Sequence, residues 1–348
     1  MNTSEILESI RNLQNGEQPK TDISEILYRH RCFYLLSMLK DNPYKERLAA
    51  ESALNRIAIK ERYKLCKALF ESLNIPYAVI KGAVLSSSAY NDPYLRISGD
   101  LDILIRRQDA DKLKEVMLSQ NFVQGRATDN GIIPFTRREI LFQTTMTHQT
   151  APYIKKTSNP LCPYINVDVN MDILWGESDQ KSDMEFVLSH IEKTSLFDVN
   201  FFKLSAEMEF ISLCLHHYKD MNSLYLLTSR GLRLDLFCDI YFYIINTRPN
   251  PKIIKEFCKK LKVGQYVYSC IYQAHQIFDS PILHEYLYEL DSEKDTLLLD
   301  SFGLNQKEKK LWHISLPERI FHTNISEYVY SLLNDEERNK IQINSQYM

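Results

Sequence analysis

Several features that would place this 348-residue chain at once are missing from it. Its seven cysteines, at positions 32, 66, 162, 214, 238, 258 and 270, are scattered, odd in number and form no C-x-x-C pair. That pattern argues against both a disulfide framework and a cysteine zinc site, and a reducing compartment suits it. There is no long hydrophobic run. The densest stretch, YFYII at 241–245, falls far short of the ~20 residues that cross a bilayer. The opening MNTSEILESIRNLQ carries two glutamates and lacks the apolar centre of a signal peptide. Neither sign of charge prevails: 42 Lys and Arg stand against 45 Asp and Glu, so nothing draws the chain generally to nucleic acid or to an anionic membrane. A nucleic-acid partner would have to meet a local patch. No internal repeat and no low-complexity segment is present. These absences leave the expectation of a soluble, cytoplasmic globular protein, long enough for two domains or for one domain with a large extension.

What is present reads as three regions. Residues 1–72 are mainly helical, with apolar residues recurring at three and four in ISEILYRHRCFYLLSML and again in the longer YKERLAAESALNRIAIKERYKLCKALFESL. Residues 73–178 change period. PYAVI is a short apolar run bounded by Pro and Lys-Gly, as a buried strand would be. GAVLSSSAY suits a short helix, DLDILI a second strand, and DADKLKEVMLSQ a helix with acidic residues in its first turn. REILFQTTMTHQT and YINVDVNMDILW show partial alternation. Residues 179–348 turn helical again: Met208, Ile211, Leu215 and Tyr218 share one face, as do Leu232, Leu236, Ile240 and Tyr243. The expected fold class is α+β, a small α/β core with a mixed sheet between N-terminal helices and a larger C-terminal helical region.

Within that core, RISGDLDILI sets Asp100 and Asp102 two apart on a strand, hence on one face. Two adjacent carboxylates repel, so something positive should meet them. Magnesium takes hard oxygen ligands from one or two carboxylates plus substrate phosphates. A third carboxylate would let two ions sit side by side, and Asp168 or Asp172 of INVDVNMDIL can supply it. Upstream, Lys81-Gly82 joins a strand to a helix, where backbone N–H groups and the helix dipole favour an anion and glycine permits close approach. Lys81 adds a point charge, and Arg96 a forked donor for phosphate oxygens. Taken singly, each feature has a plainer reading, since an Asp-x-Asp is often a solvated strand end and a Lys-Gly often a turn. Their order is the informative part.

That ordered stretch, YAVIKGAVLSSSAYNDPYLRISGDLDILI, resembles the nucleotidyltransferase superfamily of the DNA polymerase beta fold, and within it the uncharacterised nucleotidyltransferase family. Lys81-Gly82, Tyr90, Arg96 and Asp100-Leu101-Asp102 stand where that family has its Lys-Gly, aromatic, Arg and Asp-x-Asp. VDVNMDILW is similar to the family's later strand of acidic, aliphatic, His and Trp residues. One register puts Asp168 on the acidic position, with Asn170 and Met171 in place of His and Trp; the other uses Asp172 and keeps Trp175 but sets Leu174 in place of His. The first is favoured here. SLCLHHYKD and LDLFCDIYFYI are similar to the family's histidine-bearing helix and its helix with a buried aspartate, matching His216 or His217 and Asp239. A buried aspartate needs a partner, which Arg233 or a neighbouring helix should supply.

The resemblance implies a transferase that moves a nucleoside monophosphate from a nucleoside triphosphate to an acceptor hydroxyl or phosphate and releases pyrophosphate. Asp100, Asp102 and Asp168 would hold two magnesium ions, and Lys81, Gly82 and Arg96 would take the triphosphate. Two other readings follow from the same residues. One is a nucleotide-binding or interaction module on a decayed transferase core, suggested by Asn170 and Met171; the other is a toxin-like transferase acting on RNA, to which IKKTSN and Arg137-Arg138 could offer a local basic patch.

Overall fold

The computed structural model describes residues 2–128, 131–176 and 178–347. The chain opens on α1 (Thr3–Gln14), α2 (Ser24–Arg29) and α3 (Phe33–Ser37), then runs through the long α4 (Lys45–Ser72). There follow β1 (Tyr77–Ile80), α5 (Gly82–Tyr90), β2 (Asp100–Ile105), α6 (Ala110–Ser119), β3 (Val123–Thr128), β4 (Gly131–Pro134) and α7 (Arg137–Met146). Next come β5 (Tyr153–Lys156), β6 (Tyr164–Asn170), α8 (Met184–Ser189), β7 (Ile191–Leu196) and β8 (Val199–Leu204). The rest is mainly helical: α9 (Ala206–Asn222), α10 (Leu224–Arg230), α11 (Asp235–Thr247), α12 (Pro251–Leu261), α13 (Gly264–Phe278), α14 (Pro281–Glu289) and shorter pieces, among them the paired two-residue strands β9 (Ser301–Phe302) and β10 (Lys310–Leu311), ending in a helix at Asp335–Tyr347. Two compact units result, residues 47–212 and residues 1–46 with 213–348.

In the first unit eight strands form one mixed sheet in the order β4-β3-β5-β6-β2-β1-β8-β7. The β2–β6 and β1–β8 pairs are parallel, while β1–β2, β5–β6 and β7–β8 are antiparallel. The sheet's odd-numbered residues, among them Tyr77, Val79, Leu101, Ile103, Ile105, Val167 and Val169, are buried in one cluster with Ile59, Tyr63, Cys66, Leu69 and Phe70 of α4. Because side chains alternate along a strand, the even-numbered residues of β2 and β6 must face the other way. The hydrophobic pattern thus commits one face to the core and leaves Asp100, Asp102 and Asp168 on the opposite one.

The region after residue 180, read as helical from sequence, departs from that expectation at first. It contributes the hairpin β7–β8, which adds to the sheet beside β1. Leu196 pairs with Val199 across a two-residue turn, and both turn residues, Phe197 and Asp198, have positive φ (57° and 61°). Such turns usually announce themselves by Asn-Gly or Asp-Gly; here a phenylalanine and an aspartate take the same backbone, so the signal is hidden. Val199 and Phe201 supply the reason, since both are buried in the core cluster under α4.

In the second unit α11 is buried all round: every residue from Leu236 to Ile244, Asp239 included, is buried, as for a helix at the centre of a bundle. Of α9, Met208 and Ile211 in the first unit and Leu215 and Tyr218 in the second are all fully buried. All seven cysteines are buried thiols. Among the described residues no helix is long and apolar enough to cross a membrane.

Candidate active site

The acidic face is built by strand register. β2 and β6 run parallel with Asp102 beside Asp168 and Asp100 beside Asn166, so the three carboxylates project from two neighbouring strands to one side. Asp102 is buried at 6% exposure, and its Oδ1 takes two donors. Lys81 Nζ lies at 2.8 Å and Asn170 Nδ2 at 3.1 Å. Asn170 is itself oriented by Gln149, whose Nε2 donates to Asn170 Oδ1 at 2.9 Å. Burial, and after it the charges of Asp102 and Asp100, push the Asp168 carboxyl up from 3.8 to about 7, with Lys81 opposing the rise. A carboxyl held so far above its ordinary range reports an excess of negative charge in a poorly hydrated place.

Lys81 and Gly82 sit at the junction of β1 and α5, and both have positive φ (58° and 46°). For Gly82 a side chain would also be crowded, since a Cβ there would lie 3.2 Å from Ser98 Oγ. The first N–H groups of α5 have no carbonyl partner within the helix, so this junction can present donors to an anion. Facing it, the Ser98–Asp100 segment is pinned from two directions. Arg62 of α4 donates through Nη1 to the carbonyls of Ser98 (3.1 Å) and Asp100 (3.3 Å), and Ser98 Oγ donates to Asp100 Oδ1 at 3.1 Å. Arg96 lies in the connection before β2, where its backbone N–H donates to Ser86 Oγ at 3.0 Å. Tyr90 ends α5.

The other residues singled out from sequence have different surroundings. Asp172 lies beyond the end of β6 and caps the next turn: its carboxylate accepts the N–H of Leu174 at 2.9 Å and that of Ser182 at 3.3 Å. It is Asp168, not Asp172, that pairs with Asp102 in the sheet. Met171 is buried in the core cluster and Trp175 is also buried. In the helical unit His217 Nε2 lies 3.0 Å from Asp239 Oδ2, both side chains almost fully buried, and His216 lies 3.6 Å from Asp220. The partner of Asp239 thus comes from the neighbouring helix, while Arg233 pairs with Asp235 at 3.0 Å.

Arg62, Ser98 and Gln149 are the supporting residues that sequence reasoning did not pick out. For Arg62 a signal existed: it is a charged residue three positions after Ile59, on the stripe of α4 whose other buried members are Asn55, Ile59, Tyr63, Cys66, Leu69 and Phe70. The three carboxylates themselves are not drawn into a closed cage. Among the described residues, the only group of three His, Cys, Asp or Glu whose donor atoms all lie within 4.8 Å of one another is His275, Asp279 and His284.

A solved structure of an antigenic nucleotidyltransferase-like protein from Paracoccidioides brasiliensis is similar to this chain at 19% identity, covering 67% of this chain and 93% of that one with a TM-score of 0.39. No curated protein matches. The sequence profile of the uncharacterised nucleotidyltransferase family matches residues 34–279, which takes in the whole acidic face, the Lys-Gly junction and the His217–Asp239 pair. The chain belongs to the uncharacterised nucleotidyltransferase family.

Proposed function

We propose that this protein is a magnesium-dependent nucleotidyltransferase, moving a nucleoside monophosphate from a nucleoside triphosphate to an acceptor hydroxyl or phosphate on a small molecule, a protein or RNA. The observation that carries the reading is Asp102 set beside Asp168 across parallel strands, with Asp100 on the same face and Lys81 against it. The donors suit magnesium, being carboxylate oxygens alone, and a cation there would relieve the burial and the neighbouring Asp102 and Asp100 charges that raise the Asp168 carboxyl. Asp100 and Asp102 would hold both ions and Asp168 would complete one site; magnesium, when bound, would neutralise charge gathering on the transferred phosphate.

The chain's own groups supply the rest. Lys81 would pass from Asp102 to a phosphate oxygen, which needs only the turning of one flexible side chain. The Gly82 backbone and Arg96 would hold the remaining phosphates, fixing the α-phosphorus for in-line attack. The acceptor oxygen bonds to that phosphorus and gives its proton to Asp168. The bond from phosphorus to the bridging oxygen breaks, and its electron pair leaves with pyrophosphate. Most of the rate would come from positioning and charge stabilisation.

One observation favours a second reading, a nucleotide-binding module without turnover: Asn170, at the family's usual histidine position, is tied into Asp102 and Gln149 by hydrogen bonds. A single assay separates the two. Triphosphates labelled at the α- or the γ-phosphorus are incubated with magnesium, cell extract and either the native chain or Asp100→Asn/Asp102→Asn protein. Transfer requires incorporation of the α-label alone, by the native chain alone. Equal labelling by both proteins overturns it, and tight binding on calorimetry without labelling leaves the module.

A further inference from the structure

Helices α13 and α14 pack together across a link of two residues, Asp279 and Ser280. The sequence makes that turn abrupt. Asp279 takes a left-handed backbone (φ 48°), its N–H closing on the His275 carbonyl at 2.8 Å, and Pro281 then opens α14. The reversal folds the Asp279 side chain back over the last turn of α13 and brings the first turn of α14 beside it. His275 Nε2 lies 3.9 Å from Asp279 Oδ1, and the His284 ring stands 4.2 Å from the His275 ring at 65°. The donor atoms of His275, Asp279 and His284 all lie within 4.8 Å of one another.

We infer that His275, Asp279 and His284 form a second metal site, for a late first-row transition ion of the zinc class, with three protein ligands and one position left to solvent. Two imidazoles and a carboxylate are the donors zinc takes in open sites. Tetrahedral zinc holds its ligands about 3.3–3.5 Å apart, so closure needs movements of about 1 Å. Asp279 and His284 are exposed and can turn, and no hydrogen bond at Nδ1 pins the His275 ring among the described residues.

Arg11 decides which cation the site can take. Its Nε and Nη2 are tied to the carbonyls of Ile277 (2.9 Å) and Gln276 (3.0 Å), and its Nη1 stands 3.8 Å from Asp279 Oδ2, leaving Oδ1 toward His275. A fixed guanidinium there repels ions held by charge alone, such as magnesium or calcium. A zinc-class ion meets the same repulsion but has bonds to two imidazole nitrogens to offset it. The site would staple the α13–α14 hairpin and is independent of the acidic face.

The test uses the full chain, free of any affinity tag and stripped with chelator, titrated with zinc chloride by calorimetry near neutral pH and with cobalt chloride by visible absorption. Zinc should bind at one equivalent with micromolar affinity, undiminished in Asp102→Asn protein. His284→Ala or Asp279→Asn should weaken it about tenfold or more. Zinc should raise the melting temperature of the native chain but not of His275→Ala/His284→Ala protein, the two melting alike without it. Absence of binding, binding that survives the double histidine substitution, or binding that disappears with Asp102 overturns the site.

Discussion

Oδ1 of Asp102 receives both an ammonium and an amide, and the amide is oriented by a second amide in turn. Asn170 therefore fixes which way the Asp102 carboxylate points without needing a charge of its own. Asn170→Ala should lower transfer about 10–100-fold, chiefly in kcat, with a stability loss of about 1–3 kcal/mol. Asn170→His, which restores a ring N–H in that place, should recover part of the rate. Steady-state kinetics beside chemical denaturation checks both, and unchanged kcat in Asn170→Ala protein would refute the positioning role. Asp168 carries a pH signature. Its folded carboxyl, raised to about 7, binds a proton more tightly than the unfolded chain does, so this stabilisation is complete below the unfolded value and fades as pH rises through about 7. Asp168→Asn should then be more stable than the native chain by about 1–3 kcal/mol near pH 8, with the difference vanishing toward pH 4. Urea unfolding across that range reads it, and a constant difference would show that the carboxyl is not under strain. The acidic pair at 100 and 102 was legible because a spacing of two on a strand needs no long-range knowledge. Asp168 was favoured over Asp172 from sequence, whereas its register beside Asp102 needed the pairing of β2 with β6, and the roles of Arg62 and Gln149 needed contacts that close over 36 and 21 residues of chain.

At the level of elements, the His217–Asp239 bond ties α9 to α11 inside a core that offers little else polar. Removing one partner leaves the other buried and unmatched. His217→Ala or Asp239→Ala should each cost about 3–5 kcal/mol, whereas His217→Leu/Asp239→Leu should cost less than either single change. Denaturant unfolding of the three proteins tests it, and losses that simply add would mean the pair does not act as a unit. Helices with strong apolar spacing, such as α4 and α9, were readable from periodicity alone. The β7–β8 hairpin was not, because its turn lacks glycine and its place is set by pairing with β1, more than a hundred residues earlier. α11 misled in a milder way: a stripe was expected, but a helix buried on all sides needs no polar face to show its orientation.

At the scale of the molecule, the mixed sheet with helices before and after it was foreseeable from the order of periods along the chain. The sharing of residues between units was not, because it depends on which distant helices pack together. Two units also predict two responses to ligand. Magnesium with a bound triphosphate should stabilise the sheet unit by about 2.7 kcal/mol at a hundredfold excess over Kd. Scanning calorimetry with each of the four triphosphates in turn should show that shift, and an equal shift in Asp100→Asn/Asp102→Asn protein would place the nucleotide elsewhere. The helical unit is assembled from both ends of the chain, residues 1–46 and 213–348, with the whole sheet unit between them. On the ribosome, Ile10, Leu13, Leu27 and Leu35, all fully buried at the end, must wait for partners not yet translated. At typical elongation speeds that delay is roughly 8–30 s. Residues 1–46 thus emerge well before residues 213–348 can shelter them, and nascent-chain holdases should find a long-lived grip there.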